Sequence, residues 1–148
     1  MCGIIGTTEI DIPENILKKG LSLMTNRGPD FEKLHKDKFG YFGHTRLAII
    51  DLENRSNQPF EYIHNNKSIL LTFNGEIYNY IELRGELINK GYHFSTSSDT
   101  EVIAASFIEW GNSCFDRFIG MWALAIFFDE KIILARDRVG KKPLYYSI

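Results

Sequence analysis

The sequence is poor in cysteine and proline, and neither sign of charge dominates. Its 148 residues include two cysteines and four prolines, and 17 Lys and Arg against 19 Asp and Glu leave a net charge of −2. Cys2 and Cys114 are too few for a disulfide scaffold and lack metal-site spacing. The balanced charge argues against a nucleic-acid or anionic membrane surface as partner, so a small molecule is the better expectation.

Long apolar runs, a signal segment and the common cofactor motifs are also absent. No stretch reaches the roughly 20 apolar residues of a membrane helix, and no basic segment precedes an apolar one at the N-terminus, which predicts a cytoplasmic protein without a membrane partner. The chain has no GxGxxG, GxxxxGK, HExxH or GxSxG motif. Its four histidines show no ligand spacing, so no metal site is expected.

What is present is enough apolar patterning for one domain. Helices are predicted from Pro13 to Met24, from Tyr80 to Gly91, and from a Ser98–Glu101 capping box to Trp110. Strands are predicted in CGIIGT, FEKLHKDK, YFGHTRLAIID, KSILLTF, GMWALAIFF, KIILARD and PLYYSI. Strands, then two helices, then strands favour an α+β or sandwiched-sheet domain over an alternating parallel one.

The opening MCGIIG allows two interpretations of Cys2. If Met1 is retained, Cys2 is a small apolar residue at the start of a strand. If Met1 is removed, Cys2 carries a thiol with a reference pKa of about 8.5 and a free α-amine with one of about 7.7 to 8.0. That amine could then act as the base for the thiol.

Other polar groups also have both a functional and a purely structural interpretation. Asn74-Gly75 could be an oxyanion hole or a hairpin turn, and the helical periodicity after it speaks against the turn. Arg46 suits bidentate capture of a carboxylate but could be an exposed strand-end arginine. Asp99 falls in the first turn of a helix, where the helix dipole alone favours an acid.

Together, these residues stand in ordered blocks: MCGIIG, RGPD, HTRLAIID, QPF, FNGEIYNY, SDTE, GMWALAIFFD and ARDRVGKKPLYY. From Met1 to Tyr146 the chain resembles the N-terminal glutaminase domain of glutamine-dependent asparagine synthetases, a class II glutamine amidotransferase of the N-terminal nucleophile hydrolase group. The resemblance implies a four-layer αββα sandwich of two mainly antiparallel sheets.

The resemblance also implies roles for individual residues. Cys2, after loss of Met1, would attack the glutamine amide with its own α-amine as base, giving a glutamyl thioester, then glutamate and ammonia. Asn74 and Gly75 would form the oxyanion hole. The glutamine-binding residues would be Arg46 for the α-carboxylate, Glu76 and Asp99 for the α-ammonium, and the backbone from Leu47 to Ile50. Arg27 and Asp30 receive no chemical role.

In the family, ATP-dependent amidation of aspartate consumes the ammonia. Residues 1–148 would then be a glutaminase domain incomplete at its C-terminal end, because PLYYSI predicts an unpaired edge strand and the synthetase domain is absent. This domain would need no cofactor, ATP and Mg would belong to the missing domain, and a homodimer is compatible with the sequence. The alternatives are an amidotransferase for another acceptor carboxylate and an inactive binding module that keeps Met1.

Arg136, Asp137 and Arg138 are predicted to form an ion-pair network or a domain contact.

Overall fold

Seven strands form two antiparallel sheets in the computed structural model, which describes residues 1–148. The three-stranded sheet has the order β1-β3-β2 and the four-stranded sheet the order β4-β5-β6-β7. The strands are β1 (Gly3–Thr7), β2 (Phe31–Asp37), β3 (Gly40–Arg46), β4 (Phe60–His64), β5 (Lys67–Ile77), β6 (Gly120–Phe128) and β7 (Lys131–Arg136).

The helices cover the outer faces of the stacked sheets. The helices are α1 (Glu14–Ser22), α2 (Tyr80–Asn89), α3 (Asp99–Trp110) and the short α4 (Cys114–Arg117). Helix α1 packs on the three-stranded sheet, α3 packs on β4 and β5, and β5 contacts β1 and β3 between the sheets. The layers are therefore helix, sheet, sheet, helix, and the expected αββα architecture is confirmed. None of the helices is both long and apolar enough to span a membrane.

The main core lies between the four-stranded sheet and helices α2 and α3. Leu71 and Leu124 from the sheet and Ile103 from α3 are fully buried there. Cys114 belongs to the same cluster, and burial raises its pKa to about 12. Cys114 is therefore a small buried side chain of the core.

Strand β5 continues through Asn74 and Gly75 instead of turning there. Asn74 pairs with Ala123 and Gly75 with Trp122 on β6. The two hairpin turns of the four-stranded sheet lie elsewhere, at 65–66 and 129–130, where the non-glycine residues adopt positive φ angles. The interpretation of Asn74-Gly75 as a turn is therefore wrong.

Two strand predictions are wrong as well. Strand β3 ends at Arg46, and residues 47–51 form a loop whose Ile50 and Asp51 carbonyls accept hydrogen bonds from the Arg46 side chain. PLYYSI, residues 143–148, has no regular structure, and Tyr145 is 90% exposed. A strand needs a neighbour for its backbone groups, and no strand of either sheet pairs with this segment.

The ion-pair prediction around Asp137 is also wrong. The Asp137 carboxylate accepts only backbone N–H groups, including those of Trp122 and Lys142. Arg138 donates to the carbonyl oxygens of Phe118 and Asp116 instead of pairing with an acid. Asp137 is therefore the centre of a turn that fixes residues 137–142 to β6, and a domain contact stays a prediction.

Candidate active site

Except for Ala48, one cavity collects the residues that the sequence predicted as nucleophile, oxyanion donor or substrate ligand. It lies where the starts of β1 and α3 meet the ends of β3 and β5. The predicted residues that line it are Cys2, Arg46, Leu47, Ile50, Asn74, Gly75, Glu76 and Asp99. Met1, Gln58 and Lys142 line it too, although no sequence motif predicted a role for Gln58 or Lys142.

The backbone and side chain of Cys2 are held from several directions. Its Sγ accepts a hydrogen bond from the Leu47 N–H at 3.5 Å, and Arg27 Nε donates to its carbonyl oxygen at 3.3 Å. The next residue, Gly3, donates its N–H to Thr45 Oγ1 at 3.0 Å. Burial raises the pKa of the Cys2 thiol, against the lowering effect of the Leu47 contact. The thiol therefore needs a base before it can attack.

The RGPD segment supports this arrangement. Asp30 Oδ2 accepts from the Ala48 N–H at 2.8 Å, and the Asp30 N–H donates to the Arg46 carbonyl at 3.0 Å. With Arg27 on the Cys2 carbonyl, the segment joins Cys2 to the loop that follows β3. The motif was visible in the sequence, but nothing in its composition showed which backbone groups it would hold.

Arg46 is buried, and its guanidinium is largely occupied by the loop that follows it. Nη1 donates to the Glu53 carbonyl at 3.0 Å and to Asn57 Oδ1 at 2.6 Å. Nη2 donates to the carbonyls of Ile50 and Asp51. The four Nη hydrogens thus have acceptors within the protein, and only Nε is without one. Arg46 shapes the cavity wall, and its contact with a substrate carboxylate remains a prediction.

Asn74 presents a free amide to the cavity from a rigid strand. The residue is 6% exposed, and its side chain forms no hydrogen bond within the chain. The preceding residue, Phe73, lies beyond the part of β5 that pairs with β4. Side chains therefore form the hydrogen bonds to the Phe73 backbone that a longer β4 would have formed. Gln58 Oε1 accepts from the Phe73 N–H at 2.6 Å, and His44 Nε2 lies 3.2 Å from the Phe73 carbonyl.

His44 is suited to this contact because it is neutral. Burial lowers its pKa to about 4. A carbonyl oxygen can only accept, so Nε2 carries the proton and donates to Phe73. Gln58 is held in turn by a bond from its Nε2 to Thr100 Oγ1 at 3.3 Å. His44 and Gln58 hold the backbone of Phe73, next to Asn74, and only their presence in the HTR and QPF blocks pointed to them.

Asp99 and Glu76 supply negative charge to the cavity. Asp99 opens α3, and its Oδ2 accepts from the Ile77 N–H at 3.0 Å. Burial, with a smaller contribution from the nearby Glu76 charge, raises the Asp99 pKa from its ordinary value of 3.8 to about 6. Neither carboxylate forms an ion pair within the chain, so a cation entering the cavity would meet uncompensated charge.

The capping box predicted before α3 is only half formed. Ser98 Oγ accepts from the Glu101 N–H at 3.3 Å, as expected. The Glu101 carboxylate does not return to Ser98 but accepts from the N–H groups of Ser95 and Thr96. It thereby fixes the loop in front of α3.

Across the chain, no group of three or more His, Cys, Asp or Glu side chains could hold a metal ion.

Gly75 is required by the close approach of β6. A Cβ atom at position 75 would lie 2.1 Å from the Met121 carbonyl oxygen and 2.6 Å from Trp122 Cα. Because both are backbone atoms, Gly75→Ala should force the strands apart and lower the free energy of unfolding by about 3 kcal/mol or more. Gly85→Ala is the matched control.

At Gly85, on α2, an added Cβ meets nothing within 4 Å. We expect Gly85→Ala to raise the free energy of unfolding by about 0.5 to 1 kcal/mol, since alanine favours the helix. Chemical denaturation of the two variants measures both effects. Equal stability of Gly75→Ala and the wild type would contradict the strand geometry.

Comparisons with known proteins identify the family of the chain. A family model described as "Glutamine amidotransferase domain" matches residues 1–148. Asparagine synthetase [glutamine-hydrolyzing] 1 of Bacillus subtilis (strain 168) is 40% identical over 155 residues, covering 99% of this chain and 24% of the relative. Asparagine synthetase B [glutamine-hydrolyzing] of Escherichia coli (strain K12) is 38% identical over 151 residues, covering 98% and 26%. The chain spans about a quarter of the length of these relatives.

Solved structures lead to the same group. Glutamine phosphoribosylpyrophosphate amidotransferase from B. subtilis aligns with a TM-score of 0.57 and 32% identity, over 67% of this chain and 23% of that one. A structure described as the allosteric regulatory enzyme of purine biosynthesis aligns with a TM-score of 0.58 and 31% identity, over the same shares. With a family match along its whole length and this cavity between its sheets, the chain belongs to the glutamine amidotransferase domain family.

Proposed function

We propose that this chain, with Met1 removed, hydrolyses glutamine at Cys2 and supplies the ammonia for asparagine synthesis. The observation that carries the proposal is the single cavity shared by a thiol, a free amide donor and two unpaired carboxylates. The names of the relatives, glutamine-hydrolysing asparagine synthetases, support it.

The first step forms a thioester. The α-amine of Cys2 takes the Sγ proton, and the thiolate attacks the side-chain carbonyl carbon of glutamine. The oxyanion that forms would be stabilised by the Asn74 side-chain amide and the Gly75 N–H. As the carbon–nitrogen bond breaks, the α-ammonium returns its proton to the leaving nitrogen, and ammonia departs.

The second step restores the enzyme. Water attacks the thioester carbonyl while the α-amine accepts its proton, and the same two donors stabilise the second oxyanion. Collapse expels the Cys2 thiolate, which regains its proton from the α-ammonium. Glutamate is the product, and its release frees the cavity.

Glutamine is a zwitterion, and the charges in the cavity suit its ends. Asp99 and Glu76 would bind the α-ammonium, and the positive charge of Arg46 would attract the α-carboxylate, through Nε or after its Nη donors leave the loop carbonyls. A simple amide lacks these end groups and would leave buried charges unpaired. Selectivity for glutamine over a bare amide follows from that difference.

The acceptor of the ammonia is proposed from the relatives alone. Aspartate, activated with ATP and Mg in a synthetase domain, is the acceptor that their names support, and ammonia would pass directly to that domain. The alternative is another acceptor carboxylate. A screen of acceptors with the full-length protein and ATP would separate them: amidation of another carboxylate, without aspartate turnover, would reject this assignment.

The glutaminase step can be tested independently of the acceptor. Protein shown by intact mass to lack Met1 should release glutamate and ammonia in equal amounts from glutamine. Added hydroxylamine should divert the thioester to γ-glutamyl hydroxamate. Absence of both products from correctly processed protein would reject the proposal and favour an inert binding module.

The raised pKa of Asp99 predicts how glutamine binding depends on pH. Below about pH 6 the carboxyl becomes protonated and no longer attracts the substrate ammonium. The KM for glutamine should therefore rise by up to about tenfold per pH unit below that point. Initial rates from pH 5 to 8 measure this, and Asp99→Asn should give a high KM with a flatter profile.

The raised pKa of Asp99 also determines the direction in which folding stability changes with pH. Because the folded-state pKa lies above the ordinary 3.8, the native protein binds more protons than the unfolded chain between about pH 4 and 6. The Asp99 contribution to stability thus falls as pH rises through this window. Glu82→Gln, on the exposed side of α2, is the matched control and should leave both the KM profile and this slope unchanged.

A further inference from the structure

Lys142 is a buried cation at the cavity with almost no partner. The residue is 4% exposed and lines the same cavity as Cys2 and Asn74. The one hydrogen-bond partner of its Nζ is Met1 Sδ, at 2.8 Å. A thioether is a weak acceptor, and a lysine ammonium is rarely buried without a stronger one.

The position of Lys142 is fixed by the Asp137 turn. Asp137 Oδ2 accepts from the N–H groups of Lys142 and Trp122 at 2.9 and 3.1 Å, and Oδ1 accepts from Lys141 at 2.8 Å. Trp122 is also the β6 partner of Gly75. The lysine is therefore tied to the strand pair that carries the proposed oxyanion donors.

Lys142 must also lie close to the N-terminal nitrogen of Cys2. Five covalent bonds separate Met1 Sδ from that nitrogen, so Nζ is within roughly 9 Å of it by standard bond lengths. Removal of Met1 takes away the sulfur contact and creates a free α-amine in the same cavity. In the structure, no other group of the chain accepts a hydrogen bond from Nζ.

The other charged groups around Cys2 already have hydrogen-bond partners in the chain or a proposed role in binding glutamine. Arg27 is engaged with the Cys2 carbonyl, and Arg46 donates its Nη hydrogens to the loop after β3. Glu76 and Asp99 are the negative groups of the cavity, and glutamine would bring an ammonium to them. Lys142 is the remaining cation, and no acid forms an ion pair with it.

We propose that Lys142 adds to the positive charge that Arg46 already brings to Cys2, keeps the freed α-amine of Cys2 unprotonated and favours the thiolate form of its side chain. A like charge disfavours the ammonium form of the amine, and an opposite charge stabilises the thiolate. The inference rests on the proposed function for its purpose, because glutamine hydrolysis needs this base and nucleophile. Lys142 acts through Cys2 and is given no contact with substrate.

The test compares Lys142→Met and Lys142→Arg in protein that lacks Met1. Alkylation of Cys2 by iodoacetamide is followed against pH by mass analysis of the N-terminal peptide, together with the pH dependence of kcat/KM for glutamine. Lys142→Met should move the midpoint of alkylation, and the acid limb of kcat/KM, upward by about one pH unit. Lys142→Arg, which keeps the charge, should stay near the wild type.

A folded Lys142→Met protein with the wild-type alkylation midpoint would overturn the inference. A higher glutamine KM without a shift of that midpoint would overturn it too, because Lys142 would then bind substrate. Thermal melting checks folding, and Lys142→Gln replaces the methionine variant if that one is unstable. A shifted midpoint in a protein whose wild type hydrolyses no glutamine would uphold the role of Lys142 and reject the proposed function. The two failures are thus distinguishable.

Discussion

Cys2→Ala should reduce glutamate release from glutamine by at least about 10⁴-fold. Alanine at position 2 still allows removal of Met1, so the variant keeps the α-amine and loses only the sulfur. Without the nucleophile no thioester can form, and water would have to attack an unactivated amide. Coupled assay of glutamate, with hydroxamate trapping, measures the loss.

The second thiol of the chain provides the control. Cys114 is fully buried in the main core and does not line the cavity. Cys114→Ala should cost about 1 kcal/mol of stability through the void it leaves, while the folded protein keeps its glutamate release. Undiminished release by Cys2→Ala would show that Cys2 is not the nucleophile and would reject the mechanism.

Asn74→Ala should lower kcat for glutamine hydrolysis by at least about 100-fold, corresponding to about 3 kcal/mol of lost oxyanion stabilisation. The amide donates to an atom that is negative only in the transition state, so KM should change much less than kcat. Stability should be nearly unaffected, because the Asn74 side chain has no hydrogen-bond partner in the chain. Steady-state kinetics and thermal melting together separate a kinetic defect from unfolding.

Asn89 offers a matched asparagine outside the site. It ends α2 on the protein surface, and Asn89→Ala should leave kcat and KM unchanged. If Asn74→Ala instead raised KM with an unchanged kcat, Asn74 would contact the substrate equally in the ground and transition states. The oxyanion role would then be wrong.

The sequence by itself determined most of the local structure. Apolar spacing and end signals predicted all three long helices, and Gly91, with a φ of 91°, ends the second as expected. These signals are local, since capping and periodicity act within a few residues. The ordered blocks also pointed to eight of the 17 residues that line the cavity, through resemblance to a family rather than through any single motif.

The tertiary structure alone decided how those residues are supported. It turned the apolar run after Arg46 into a loop, because the guanidinium takes the loop carbonyls that a further strand would have used. It left PLYYSI without strand structure, since pairing depends on a neighbour and not on the segment's own composition. It placed Asp137 at the centre of a turn that accepts backbone N–H groups instead of in an ion pair.

It also brought Lys142 to the N-terminus, 141 positions away along the chain. Hydrogen bonds and charge interactions act over a few ångströms in space, whatever the separation in sequence. The amino-acid order therefore pointed to the proposed nucleophile and oxyanion donors. Which backbone groups hold them, and which charge stands beside them, depended on contacts that exist only after the two sheets have packed.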